Sequence, residues 1–138
     1  MIASLYHPTL VDGLISHFRQ ELEVIAPGSN VAVYRVPGSF EIPLAVQEVA
    51  TRGGIEAAVA FGVIIEGETA HGALIAGSVT QSLQQIALSA RIPVIHEVLL
   101  VRSEEQARVR CLEENINRGT EAARVVVQMV QAIGEIKR

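Results

Sequence analysis

Apolar residues recur along this chain at two periods, and the alternation between them outlines the fold. Leu10, Leu14, Phe18, Leu22 and Ile25 fall three to four residues apart, the spacing of one helix face. Pro8 suits the first turn of that helix, where its missing N–H costs little. A short apolar segment, Ile2 to Leu5, precedes it, and the turn-forming Pro27-Gly28-Ser29-Asn30 follows. Val31 to Val36 then reads as a strand. After the turn Pro37-Gly38-Ser39, Ser39 is placed to cap a helix from Phe40 to about Thr51, with Pro43 near its first turn and Arg52-Gly53-Gly54 closing it. Ala57 to Ile65 is the most hydrophobic run and predicts a central parallel strand covered on both faces. A helix from Ala70 to Ala90 follows, then a strand from Val94 to Val101. Ser103-Glu104-Glu105-Gln106 has the Ser-x-x-Gln form of a capping box before a short helix. Asn117-Arg118-Gly119 interrupts the pattern before a terminal helix from Thr120 to Ile136.

Strands alternating with helices imply an α/β fold of three layers, αβα: a four-stranded parallel sheet with helices on both faces, flavodoxin-like, with ligands at the carboxyl ends of the strands. The 138 residues suit one domain spanning 1–138. Aromatics make up 4% of the chain and tryptophan is absent, so Val, Ile, Leu and Ala must build the core.

Charge narrows the function. A net charge of −4, with the 11 Lys and Arg scattered, offers no basic field for nucleic acid. No apolar stretch approaches the roughly 20 residues that span a bilayer, so no membrane partner is expected. The start Met1-Ile2-Ala3-Ser4-Leu5-Tyr6-His7 lacks the basic opening of a signal peptide, and the expectation is a soluble cytoplasmic protein. The lone Cys111 cannot form an internal disulfide, and the 4 histidines are too widely spaced for a close ligand pair, so no structural metal is expected.

The residues just past each strand carry the candidate chemistry: Tyr6 and His7, then Gly38-Ser39-Phe40-Glu41, then Glu66 to His71, then groups beyond Val101. Gly67-Glu68-Thr69-Ala70-His71 sets a histidine on the first turn of a helix. Free amides and the positive end of the helix dipole make that turn an anion site with an imidazole beside it. The same pattern also reads as Thr69 capping the helix with His71 exposed, and local sequence leaves both open. Together the strand ends offer aromatic faces for a flat heterocycle, a carboxylate for hydroxyls and a seat for phosphate.

The order and spacing of several motifs resemble the 6,7-dimethyl-8-ribityllumazine synthase family along nearly the whole chain. Val36-Pro37-Gly38-Ser39-Phe40-Glu41-Ile42-Pro43 is similar to that family's Val-Pro-Gly-Ala/Ser-Phe-Glu-Ile-Pro signature. Gly62 to Ile65, Gly67-Glu68-Thr69 with His71, Pro93-Val94-Ile95, Glu105-Gln106-Ala107, Arg110 and Asn117-Arg118-Gly119 follow in register. The resemblance implies condensation of 5-amino-6-ribitylaminouracil with 3,4-dihydroxy-2-butanone 4-phosphate, releasing phosphate and water, in riboflavin synthesis without a metal or organic cofactor. It further implies that Tyr6 stacks on the pyrimidine and that Ser39 and Phe40 contact the pyrimidine and ribityl chain. Glu41 would accept ribityl hydroxyls. Gly67, Glu68, Thr69 and Arg110 would hold phosphate, with His71 transferring protons and Arg118, where many members have Lys, among the substrate-binding residues. Self-association is implied as well: a pentamer or a multiple of it, with the site shared between subunits and His96 in the place of an aromatic supplied by the neighbour. The short start removes one assembly contact and points away from a full icosahedral shell.

Departures from the family pattern fall at Glu66, where a basic residue is frequent, at Gly72, where an aromatic is common, and at His96-Glu97, where Phe-Gly is usual. The start Ser4-Leu5-Tyr6-His7 likewise stands in place of Ser-Arg-Phe-Asn. Two further readings share the fold class: a non-catalytic lumazine- or flavin-binding protein, and a flavodoxin-like FMN carrier. Retention of His71 and Arg110 argues against the first, and the detail of the stacking and phosphate motifs against the second.

Overall fold

The structure, a computed structural model, describes residues 1–138. Strands β1 (Ile2–Ser4), β2 (Tyr34–Val36), β3 (Ala58–Ile65) and β4 (Val94–Val101) form one sheet in the order β2-β1-β3-β4, every pairing parallel. Helices α1 (Pro8–Ile25), α2 (Ile42–Arg52), α3 (His71–Ala90), α4 (Glu104–Leu112) and α5 (Arg118–Ile136) connect and follow the strands, which is the layered α/β fold expected.

Successive strand side chains point to opposite faces, so β3 feeds two cores. Val59, Phe61 and Val63 pack with α1, α4 and α5, where Phe18 meets the Phe61 ring edge-on at 5.7 Å. Ala58 and Ala60 pack with α2 and α3 around Ile42, Val46, Val79 and Leu83. Full burial of a residue such as Phe61 contributes about 1.5–3 kcal/mol, and both faces of β3 are covered, as its unbroken apolar run predicts.

Boundaries shift where side-chain chemistry intervenes. The second strand forms only at Tyr34–Val36, because β1 offers just Ile2–Ser4 to pair with. Ser39 does not cap a helix. It opens a short 3₁₀ turn, Ser39–Glu41, and is itself buried, while α2 starts at Ile42 with no side-chain cap. Asn117, expected to interrupt the pattern, instead caps α5: its Oδ1 accepts the Gly119 and Thr120 amides at 2.8 and 3.3 Å, so the helix starts at Arg118. Ser103 caps α4 as expected, accepting the Gln106 amide at 3.2 Å. The Gln106 side chain returns to the Arg102 amide rather than that of Ser103, giving a variant of the capping box.

Candidate active site

The carboxyl ends of β1, β2 and β3 open onto a cleft of about 990 Å³. Tyr6, Ser39, Phe40, Glu41, Gly67, Thr69 and His71 line it, with Val63, Ile64, Ile65, Leu74 and Ile75 as its apolar side. The strand-end segments therefore converge as the parallel topology requires.

The chain turns sharply after β1 to put Tyr6 there. Ser4 Oγ donates to the Tyr6 carbonyl at 3.2 Å, and the Leu5 amide donates to the Val36 carbonyl at 2.8 Å. His7 then adopts a left-handed conformation, φ 53° and ψ 58°, as the cap of α1, and its ring meets Tyr6 edge-on at 4.6 Å. Left-handed backbone is uncommon outside glycine, though histidine is among the residues that tolerate it better. Tyr6 and Phe40 remain 67% and 60% exposed, so both aromatic faces are free to take a ligand. Glu41 sits at the end of the 3₁₀ turn with its carboxylate unbonded within the chain.

The loop between β3 and α3 has the character of an anion seat. From Gly67 to Ala73 the only backbone amide with a partner in the chain is that of His71, through a long 3.4 Å bond to Thr69 Oγ1. Ala70, not Thr69, holds the cap position, and it contributes no side-chain bond. The two readings of this segment are thus parts of one arrangement: Thr69 turns toward the helix start, yet the amides stay free and His71 lines the cleft. Glu68 does not line the cleft, whereas Glu104, at the start of α4, does.

The cations lie elsewhere. Arg110 is on α4, half-buried, with Nη1 on the Gln106 carbonyl at 3.3 Å, outside the cleft. Arg118 is also outside, at the first turn of α5. Its Nε and Nη2 donate to the two oxygens of Glu97 at 3.0 and 2.8 Å, and Glu97 is only 3% exposed. Burial pushes the Glu97 carboxyl above the usual carboxylate range, and the bonds and charge of Arg118 pull against that shift. Two parallel N–H donors to both oxygens favour the charged carboxylate against that burial. Sequence reading took Glu97 only as a departure and missed this partnership; the lysine-to-arginine change at position 118 was its one visible trace.

His96 points from the other face of β4 and also lies outside the cleft. Its Nδ1 accepts the Val98 amide at 3.1 Å, which leaves Nε2–H to donate to Thr80 Oγ1 at 2.7 Å, while the Thr80 hydroxyl donates to the Ala76 carbonyl at 2.8 Å. Burial lowers the His96 pKa, in keeping with a neutral ring. Thus the cleft of one chain collects Tyr6, Phe40, Glu41, the free amides of the loop and His71, whereas Arg110, Arg118 and His96 are not brought to it. No group of three or more His, Cys, Asp or Glu side chains is placed to hold a metal ion, and no helix is long and apolar enough to cross a membrane.

A family model described as 6,7-dimethyl-8-ribityllumazine synthase matches residues 1–133. A protein of that name from Chlorobium phaeobacteroides is 40% identical over 121 residues, covering 88% of this chain and 76% of its own. Another of that name, from Halorhodospira halophila, is 35% identical over 138 residues, covering 99% and 88%.

Proposed function

The chain belongs to the 6,7-dimethyl-8-ribityllumazine synthase family, and from that premise we propose how its residues carry out the family's reaction. The protein is a transferase of riboflavin biosynthesis that condenses 5-amino-6-ribitylaminouracil with 3,4-dihydroxy-2-butanone 4-phosphate, releasing phosphate and water. In our reading the pyrimidine stacks on Tyr6 with Ser39 and Phe40 beside it, and Glu41 accepts ribityl hydroxyls. The free amides of the Gly67-Glu68-Thr69 loop receive the phosphate of the second substrate. His71, on the first turn of α3, moves protons as the amine forms an imine, phosphate is eliminated and the ring closes. An imidazole suits that sequence because its intrinsic pKa lies near neutrality. Much of the rate comes from holding two substrates in contact.

The observation that carries this reading is the convergence of Tyr6, Glu41, the free amides and His71 on one cleft. That cleft contains no cation. Glu41 and Glu104 line it, and a dianionic phosphate there needs positive charge nearby. Arg110 and Arg118 are therefore supplied by an adjacent chain, with His96 of the same neighbour as the cover of the heterocycle, in a homo-oligomer of at least five subunits. Exposed Tyr6, Phe40 and Leu74, each 60–70% accessible and lining the cleft, support an apolar interface there. The family match and the retained His71 and Arg110 lend nothing to a binding protein without turnover. We place the enzyme in the cytoplasm and assign it no metal cofactor. Mixing the purified protein with both substrates in the presence of a chelator should generate the lumazine absorbance at the untreated rate. Activity lost to the chelator and restored by one metal would overturn this account.

A further inference from the structure

We propose that Gly62 is a positioning residue for the pyrimidine substrate: bearing no side chain in the middle of β3, it seats the Ser39–Glu41 turn at the depth where Phe40 and Glu41 meet that substrate. The proposal rests on the reading that this turn contacts the pyrimidine and its ribityl chain.

A 3₁₀ turn has about three residues per revolution, so side chains at i and i+3 eclipse. Ser39 and Ile42 are such a pair, joined by a bond from the Ile42 amide to the Ser39 carbonyl. Both are buried, 8% and 0% exposed, which leaves Phe40 and Glu41 outward on the cleft. Two eclipsed inward side chains need one deep seat, and Gly62 provides it. It is buried and follows Ala60 on the face of β3 that packs under α2 and α3. A Cβ there would stand 2.6 Å from Ser39 Oγ and 3.2 Å from Ile42 Cδ1, with Val98 Cγ1 of the paired strand β4 also at 3.2 Å.

Non-bonded heavy atoms pack best at about 3.5–4.0 Å. Ile42 and Val98 can meet an added methyl by small shifts of their side-chain ends. The overlap at Ser39 is deeper, and it is relieved by lifting the turn away from the sheet. Glu41 moves with the turn, because its Oε2 is folded back to 3.0 Å from where a Gly38 Cβ would stand. A displacement of about 1 Å in a group that positions substrate can cost up to about a hundredfold. The Gly67-Glu68-Thr69 amides lie past the end of β3 and do not rest on this seat, so the effect falls on one substrate.

Steady-state kinetics with each substrate varied in turn provides the test, on Gly62→Ala, Ser39→Ala and the double variant Gly62→Ala/Ser39→Ala, which removes the overlapping hydroxyl. Thermal midpoint and assembly size are measured alongside. Gly62→Ala should raise KM for the pyrimidine about three- to tenfold and leave KM for the butanone phosphate near wild type. Ser39→Ala sets the baseline for any contact of the hydroxyl with substrate, and the double variant should return to within about twofold of it. Ser39→Thr crowds the same seat from the turn side with β3 intact; it should raise the pyrimidine KM above that baseline, and it carries the test if Gly62→Ala does not assemble. A lowered thermal midpoint with unchanged KM in Gly62→Ala, or an unchanged KM in Ser39→Thr, would assign the contact to structure alone and overturn the proposal. A raised KM that persists in full in the double variant would overturn it as well. Glu41→Ala keeps the two failures apart: a pyrimidine KM unmoved by that change would remove the turn from the substrate site, whereas a raised one beside a silent Gly62→Ala would overturn only the seat.

Discussion

In the proposed mechanism His71 and Arg110 divide the chemistry between proton transfer and phosphate binding, and their substitution should divide the kinetics in the same way. His71→Ala should lower turnover modestly with little change in apparent affinity, because the two substrates are still held together. Arg110→Ala should remove a charge-assisted contact of about 1.5–3 kcal/mol, roughly ten- to a hundredfold in KM for the butanone phosphate. The reverse pattern in steady-state kinetics would mean that the roles are exchanged. His96 allows a second test at this scale. Burial lowers its pKa from the ordinary value of 6.5, and its Nδ1 accepts an amide bond that a protonated ring could not accept. The unfolded chain therefore binds this proton more readily than the folded one between 6.5 and the lower folded value. The contribution of His96 is fully present above that window and is lost as pH falls through it. Denaturant unfolding should show stability declining on acidification across the window, and His96→Gln should flatten that part of the slope; an unchanged slope would rule out a neutral, hydrogen-bonded ring.

Helix and strand identities were legible because their signals are periodic and long. β4 begins and ends where its apolar run does, and α1, α3 and β3 lie within a few residues of their sequence bounds. The errors fell where a single side chain decides. Ser39 has the chemistry of a cap, yet the Gly38–Ile42 segment tightens into a 3₁₀ turn that buries it, while Asn117, read as a breaker, starts α5. Nothing local distinguishes those outcomes, since tertiary packing selects which polar group finds an amide. The cleft half of the site was readable because parallel strands deliver their following loops to one rim. The Glu97–Arg118 pair was not, because it joins residues on separate elements. The α1–α5 contact is another long-range fact: at Gly119 a Cβ would overlap the Leu14 carbonyl. Gly119→Ala should therefore cost about 1–3 kcal/mol or more through forced separation of the two helices, measured as a lowered denaturation midpoint. A neutral result would mean that the helices can slide apart freely.

At the scale of the whole molecule, one chain places two aromatic faces, a carboxylate, free amides and a histidine in a cleft and keeps its two candidate substrate cations outside it. A site completed by a neighbour reconciles those placements with the condensation reaction, and a ring of identical chains satisfies it by a repeated head-to-tail interface. The departures at His96 and Glu97 find partners within the chain in Thr80 and Arg118. The shared site is tested most directly by complementation between two crippled chains. One carries Glu41→Ala with His71→Ala and has a dead cleft; the other carries Arg110→Ala and has lost its phosphate cation. With the butanone phosphate held well below KM, each alone should form the lumazine chromophore far below the wild-type rate. Assembled together in equal amounts, with random neighbours, about one interface in four pairs an intact cleft with an intact arginine, and activity should rise to about a quarter of wild type. A mixed assembly no more active than the average of its parents would place the whole site within one chain and contradict the account.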